Sequence, residues 1–206
     1  MVDMNKVVGL KEARQIVEIL KRHYPGIFDG LEIKYGDYYC YDDARHIVYI
    51  QWKIDETEED TIRENAVIDI VNKKYGLNLG YSAREKSMHA FLHELGHAAD
   101  LSYKKAFGQY EEYIKKETTE RIVFDSNVHA YRNMRIEHEE LMEVVMFGLG
   151  YTHEERDEIL KEAEELEKEI EEVAHELDYE YREIITEKAA DKFSSDLLKG
   201  LFRNII

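Results

Sequence analysis

Ile159, Ala163, Leu166, Ile170, Val173 and Leu177 recur at alternating four- and three-residue intervals, with Glu and Lys filling the positions between them. That pattern is the seam of a long helix that must bury one narrow stripe and can leave the rest in water. Thr152-x-x-Glu155 opens it as a capping box, in which hydroxyl and carboxylate each satisfy a free amide. Ahead of it, Tyr131, Met134, His138, Leu141 and Val145 form a second seam within 127–147, broken by Gly148 and Gly150. Tyr103, Ala106, Phe107, Tyr110 and Ile114 form a further stripe, so the chain after Asp100 reads as helix. Two uses of the 153–183 seam stay open. It packs inside the chain as one arm of a solvated hairpin, or it forms a homodimer with a second copy.

Before residue 100 the pattern is mixed. Leu10, Ala13, Val17, Leu20 and Tyr24 predict a helix over 10–24, ended by Pro25-Gly26. Leu31, Ile33 and Tyr35 alternate with polar residues, Tyr39 and Tyr41 continue in the same manner, and 46–52 reads as a further strand after a turn at Asp42-Asp43-Ala44. The expectation is a small antiparallel sheet with 46–52 at its edge. Thr57-x-x-Asp60 then opens a helix whose apolar face is Ile62, Ala66, Val67, Ile70, Val71 and Tyr75, closed by Gly76. The fold class is α+β, mainly helical, the sheet preceding the helix that begins near Ser82.

The 206 residues suffice for a sizeable core. A formal charge of −17 disfavours nucleic acid and membrane surfaces, which attract basic faces, and favours a basic peptide or protein partner. No apolar run reaches the roughly 20 residues that span a bilayer, and without an apolar core followed by a small-residue cleavage site at the amino terminus no signal peptide is expected. Cys40 is the one cysteine, which excludes an internal disulfide and a multi-cysteine metal site. A reducing cytoplasm is the expected setting.

Within Ser82–Asp100 stands His93-Glu94-Leu95-Gly96-His97. Ser82-x-x-Glu85 is a helix start, and on a helix residues four apart share a face, so His93 and His97 can present two imidazoles to one divalent ion. Glu94 stands where a carboxylate can take a proton from a water on that ion. Gly96 is costly in mid-helix, by about 1 kcal/mol against alanine, and predicts a close backbone neighbour or substrate. A catalytic zinc needs a third protein ligand. Glu187 is the leading candidate, with Asp191 four residues on to accept a hydrogen bond from a ligand histidine. His89, Asp100 and the group Glu137, Glu139, Glu140 and Glu143 are alternatives. His138 is the candidate donor to an oxyanion, with Tyr103 and Tyr110 as further tyrosines near the motif.

His93-Glu94-x-x-His97 followed by Glu187-x-x-x-Asp191 resembles the gluzincin metallopeptidases. The context Glu187-x-x-Ala190-x-x-Phe193-x-x-x-Leu197-Leu198 is similar to the ImmA/IrrE-type intracellular proteases, whose members cut phage or stress-response repressors. The resemblance implies a zincin-like fold, a Zn2+ cofactor on His93, His97 and Glu187, Asp191 behind a histidine, and Glu94 as general base of peptide hydrolysis. About ninety residues separate His97 from Glu187, far more than those compact enzymes use. The chain is therefore expected to be one zincin-like domain over 1–206 with 102–183 as a helical insertion, acting on a peptide or protein. The alternative is a non-catalytic or latent metal-binding regulator whose acidic insertion binds a protein partner.

Overall fold

Helix α1 (Leu10–His23) buries Ala13, Ile16, Val17 and Leu20 along one face, with Glu12 in its first turn and Lys21, Arg22 and His23 in its last, each sign at the dipole end that favours it. The computed structural model describes residues 7–52, 58–148 and 150–201. After α1 come strands β1 (Glu32–Tyr35), β2 (Cys40–Asp42) and β3 (Ile47–Ile50). Helices α2 (Glu58–Tyr75), α3 (Ala83–Ala106), α4 (Tyr110–Phe147), α5 (His153–Glu183) and α6 (Ile185–Lys199) follow. The protein is mainly helical with a small three-stranded sheet.

That sheet is mixed, not antiparallel. Its order is β1-β3-β2, with β1 parallel to β3 (Ile33 opposite Val48) and β2 antiparallel to it (Tyr41 opposite Val48). Nor is the 46–52 region an edge, because β3 is the central strand. The reason lies in its side chains: Ile47, Val48 and Ile50 are all buried, as a strand covered on both faces requires. A parallel pair needs a connection that carries the chain back, and here that return path contains β2. The outer strands are less apolar, and β2 has no strand on its far side among the described residues.

The expected cap at Thr57 lies outside the described residues. Among the described side chains of α2 the buried ones, Ile68, Ile70 and Val71, fall in its second half. Ile62, expected on that face, is 66% exposed, while Ala66, Val67 and Tyr75 are half-buried. Ser82 caps α3 by accepting from the Glu85 amide. The Glu85 carboxylate reaches back past Ser82 to the amide of Gly80, at 2.8 Å, because a residue without a side chain lets that amide approach. Arg84, buried, grips Glu12 with both arms and fastens α3 to α1.

Contacts divide the chain into two compact units, Met1–Lys116 with Ile185–Ile206, and Glu117–Ile184. Residues 102–116, expected in the insertion, belong to the first. The expected stripe from Tyr103 to Ile114 is interrupted at Phe107-Gly108, where Gly108 takes a φ of 67° and ends α3. Tyr113 is buried and its hydroxyl donates to the Ile185 carbonyl at 3.2 Å.

In the second unit α4 and α5 run side by side in opposite directions. Asn127 donates to Glu180 at 2.8 Å, and the Phe124 and Tyr181 rings lie 5.5 Å apart. Thr152 and Glu155 form the reciprocal capping box. The seam positions Tyr131, Met134, His138, Leu141 and Val145 are half-buried, and on the α5 seam Ala163 and Leu177 are buried within one chain.

The hairpin β2–β3 brings a pH dependence. Burial pushes the phenols of Tyr39 and Tyr41 well above their ordinary range, with the Asp43 charge adding to the shift at Tyr41. An acid whose pKa is raised on folding stabilises the fold below its unfolded value and loses that contribution as pH rises. Chemical unfolding followed from pH 8 to 11.5 is therefore expected to show stability falling from about pH 10 upward, and Tyr39→Phe to lessen the fall. A flat profile across that range would contradict the assignment.

Candidate metal centre

Two helices carry the centre. Along α3, His93 and His97 stand one turn apart on the face turned to α6, and along α6 Glu187 and Asp191 are likewise four apart. Gly96 lets the helices meet. A Cβ there would lie 2.6 Å from the Ala190 Cα and 2.7 Å from its carbonyl oxygen, inside any tolerable contact. The mid-helix glycine thus has the close backbone neighbour that the sequence suggested.

At the crossing, His93 Nε2 lies 3.1 Å from Glu187 Oε2, His97 Nε2 lies 3.1 Å from His93 Nε2, and His97 Nε2 lies 3.5 Å from Glu187 Oε2. Behind them His93 Nδ1 is 2.8 Å from Asp191 Oδ1. An ionised carboxylate accepts but cannot donate, so Asp191 holds a proton on His93 Nδ1; with the ring neutral the Nε2 lone pair faces the triangle, and with the ring charged Nε2 donates to Glu187. Glu187 and Asp191 are 2% and 0% exposed, so neither is an ordinary solvated acid of a Glu-rich chain. Burial pushes the Glu187 carboxyl up, but hydrogen bonds from His93 and His97, with their charges, outweigh it and hold the carboxyl well below the usual range. Glu94 is half-buried, and ligand atoms of His93, Glu94 and His97 all lie within 4.8 Å of one another. This His-Glu-x-x-His group can hold a metal ion.

No protein-family model, curated protein or solved structure matches the chain.

The other candidates stand apart from this group. His89 is buried, with its ring centre 6.2 Å from that of His93, and supplies no atom to the triangle. Asp100 is half-buried one turn past His97. Burial pushes its carboxyl up, while Tyr113, Lys104 and His97 pull it back. Glu137, Glu139, Glu140 and Glu143 are exposed residues of the hairpin unit, and His138 is a half-buried residue of its seam. Tyr103 is 47% exposed and stacked near Phe107, and the Tyr110 hydroxyl is committed to Asp43 at 2.7 Å.

One residue near the site was read from sequence only as a lone thiol. Cys40 stands on β2, which packs on α3. Burial, then the nearby charges of Glu94 and Asp42, push its thiol up and keep it protonated. The signal available was its place in the strand preceding the motif helix.

Proposed function

We propose that this chain is a zinc-dependent metallopeptidase of gluzincin type. Its zincin-like domain over 1–206 carries the helical hairpin as an insertion, and it acts in the cytoplasm on peptide or protein substrates. The observation that carries the reading is the triangle of His93, His97 and Glu187 atoms with edges of 3.1, 3.1 and 3.5 Å. Ligands held about 2.0–2.1 Å from a tetrahedral zinc stand about 3.3–3.4 Å from one another, so the donor set fits that ion in type and spacing. His93, His97 and Glu187 would hold it, with Asp191 fixing the His93 ring. Zinc bound there would act as a Lewis acid on a scissile carbonyl and bring the pKa of a water close to neutrality. Glu94 takes the proton of the attacking water and passes it to the leaving amine. The outer edge of β2, beside Glu94, supplies backbone groups on which an extended peptide can add as a strand.

Zinc analysis tests this directly. The parent is expected to bind one equivalent of zinc and to cleave peptides in a manner abolished by a chelator and restored by zinc. Glu187→Ala, leaving two protein ligands, is expected to lose zinc during purification and to show no cleavage. Stoichiometric zinc in that variant would remove Glu187 from the ligand set.

A second reading rests on the charge distribution. The unit Glu117–Ile184 holds 22 acidic and seven basic residues, a net −15 of the chain's −17. A surface so anionic attracts a cationic partner over several ångströms. A metal-binding regulator using the hairpin as its docking arm would bind zinc, capture a basic protein and turn nothing over. Zinc occupancy without cleavage of any peptide in a broad panel would favour that reading over the first.

A further inference from the structure

Asp43 stands in the connection between β2 and β3, where the sequence suggests only a turn. It accepts from Lys105 Nζ at 2.6 Å on Oδ1 and from the Tyr110 hydroxyl at 2.7 Å on Oδ2. The Tyr41 hydroxyl lies 3.3 Å from Oδ1 and 2.7 Å from His46 Nδ1. Lys105 Nζ also sits 4.8 Å from the centre of the Tyr110 ring. Lys105 belongs to the last turn of the metal-motif helix and Tyr110 is the first residue of α4. One carboxylate thus joins the end of the β2 edge to both sides of the α3–α4 junction, more than sixty residues away in the chain. Burial pushes the Asp43 carboxyl up, but the bonds from Lys105, Tyr110 and Tyr41 outweigh it and keep it ionised at neutral pH.

The hairpin is also held under strain. His46 is the one non-glycine with positive φ among the described residues, at 56°. A side chain in that left-handed region costs about 1 kcal/mol or more. The hydrogen bond between its ring and Tyr41 links this turn to the knot. Such strain persists where surroundings over-determine a conformation, and it points to a requirement on position.

We propose that Asp43 is a positioning residue: by tying the β2 edge to the α3–α4 junction it sets where an extended peptide lies along β2 relative to Glu94. This rests on the peptidase reading. The edge itself is only three residues long and pairs on one side alone, so its own ladder cannot hold it rigidly against α3. The charged hydrogen bonds of Asp43 act at its end, where a small rotation would carry Cys40 toward or away from Glu94.

The test compares the zinc-loaded parent with Asp43→Asn and Asp43→Glu, using amide hydrogen exchange and fluorogenic peptides of eight to ten residues. Asp43→Asn is expected to keep its zinc and the exchange protection of α3, while amides of residues 40–42 exchange about tenfold faster, the scale set by losing one charge-assisted hydrogen bond. KM is expected to rise about tenfold with kcat within about twofold, because ground-state and transition-state binding are lost together. Asp43→Glu should recover part of both. Unchanged exchange at 40–42 would overturn the proposal, as would a fall in kcat at constant KM, which would place Asp43 in the chemistry. A parent that cleaves no peptide would sink the peptidase reading, and the exchange measurement would still decide whether Asp43 holds the edge.

Discussion

Glu94→Gln is expected to purify with a full equivalent of zinc and to hydrolyse peptides about a hundred- to ten-thousandfold more slowly than the parent, the range by which general bases contribute. The amide keeps the size of the carboxylate and its ability to hydrogen-bond a water, but at neutral pH it cannot take a proton. Glu94 is not a corner of the 3.1–3.5 Å triangle, which is made by His93, His97 and Glu187. The substitution therefore separates binding from turnover. Loss of zinc together with activity would make Glu94 a ligand. Turnover close to that of the parent would put the base elsewhere.

Gly96→Ala carries the second large effect, and two opposing terms decide its sign. Alanine favours helix over glycine by about 1 kcal/mol. Against that, the new methyl group would sit 2.6 Å from the Ala190 Cα, and the obstacle is backbone, which cannot rotate away as a side chain can. Overpacking of this kind costs about 1–3 kcal/mol, and α6 must move to relieve it. The expected outcome is a metal-free protein less stable by up to about 2 kcal/mol in chemical unfolding, the overpacking cost less the helix gain. Its zinc should be held about ten- to a hundredfold more weakly in competition with a chromophoric chelator, because α6 brings both Glu187 and Asp191. A more stable variant with unchanged zinc affinity would show that the helices can separate without disturbing the site.

The sequence revealed the site better than the sheet, for physical reasons. Helical spacing is local: Ser82 marks where α3 starts, and a four-residue step puts His93 beside His97 wherever the helix goes. Gly96 violated propensity in a way only a neighbouring backbone resolves, and Ala190 is that neighbour. Glu187 and Asp191 were singled out at a helical interval, and α6 does bring both beside His93. The seams of α4 and α5 were likewise legible, their periodic positions being the half-buried and buried ones. Strand pairing is not local. Alternation in Leu31, Ile33 and Tyr35 signals a strand without naming its partner, and the cue that β3 is central was its unbroken Ile47-Val48-Tyr49-Ile50 run. The Asp43 knot was invisible because Asp-Asp reads as a turn and nothing in sequence ties it to Lys105 and Tyr110.

The hairpin bears on how His93 and Glu187 find one another as the chain folds. His93 and Glu187 are 94 positions apart, and closing a flexible loop of that length has an entropic cost that grows with its logarithm. Yet α4 and α5 zip through contacts between near neighbours in the pairing, and at their open end Arg121 lies over the Tyr181 ring at 5.8 Å. Once the two arms are joined, the chain entering at Glu117 and the chain leaving at Ile184 are already side by side. The loop left to close shrinks from about ninety residues to about thirty, which saves about 1 kcal/mol of search entropy. An insertion long enough to separate the two helices of the candidate site thus acts, in folding, as a shortcut between them.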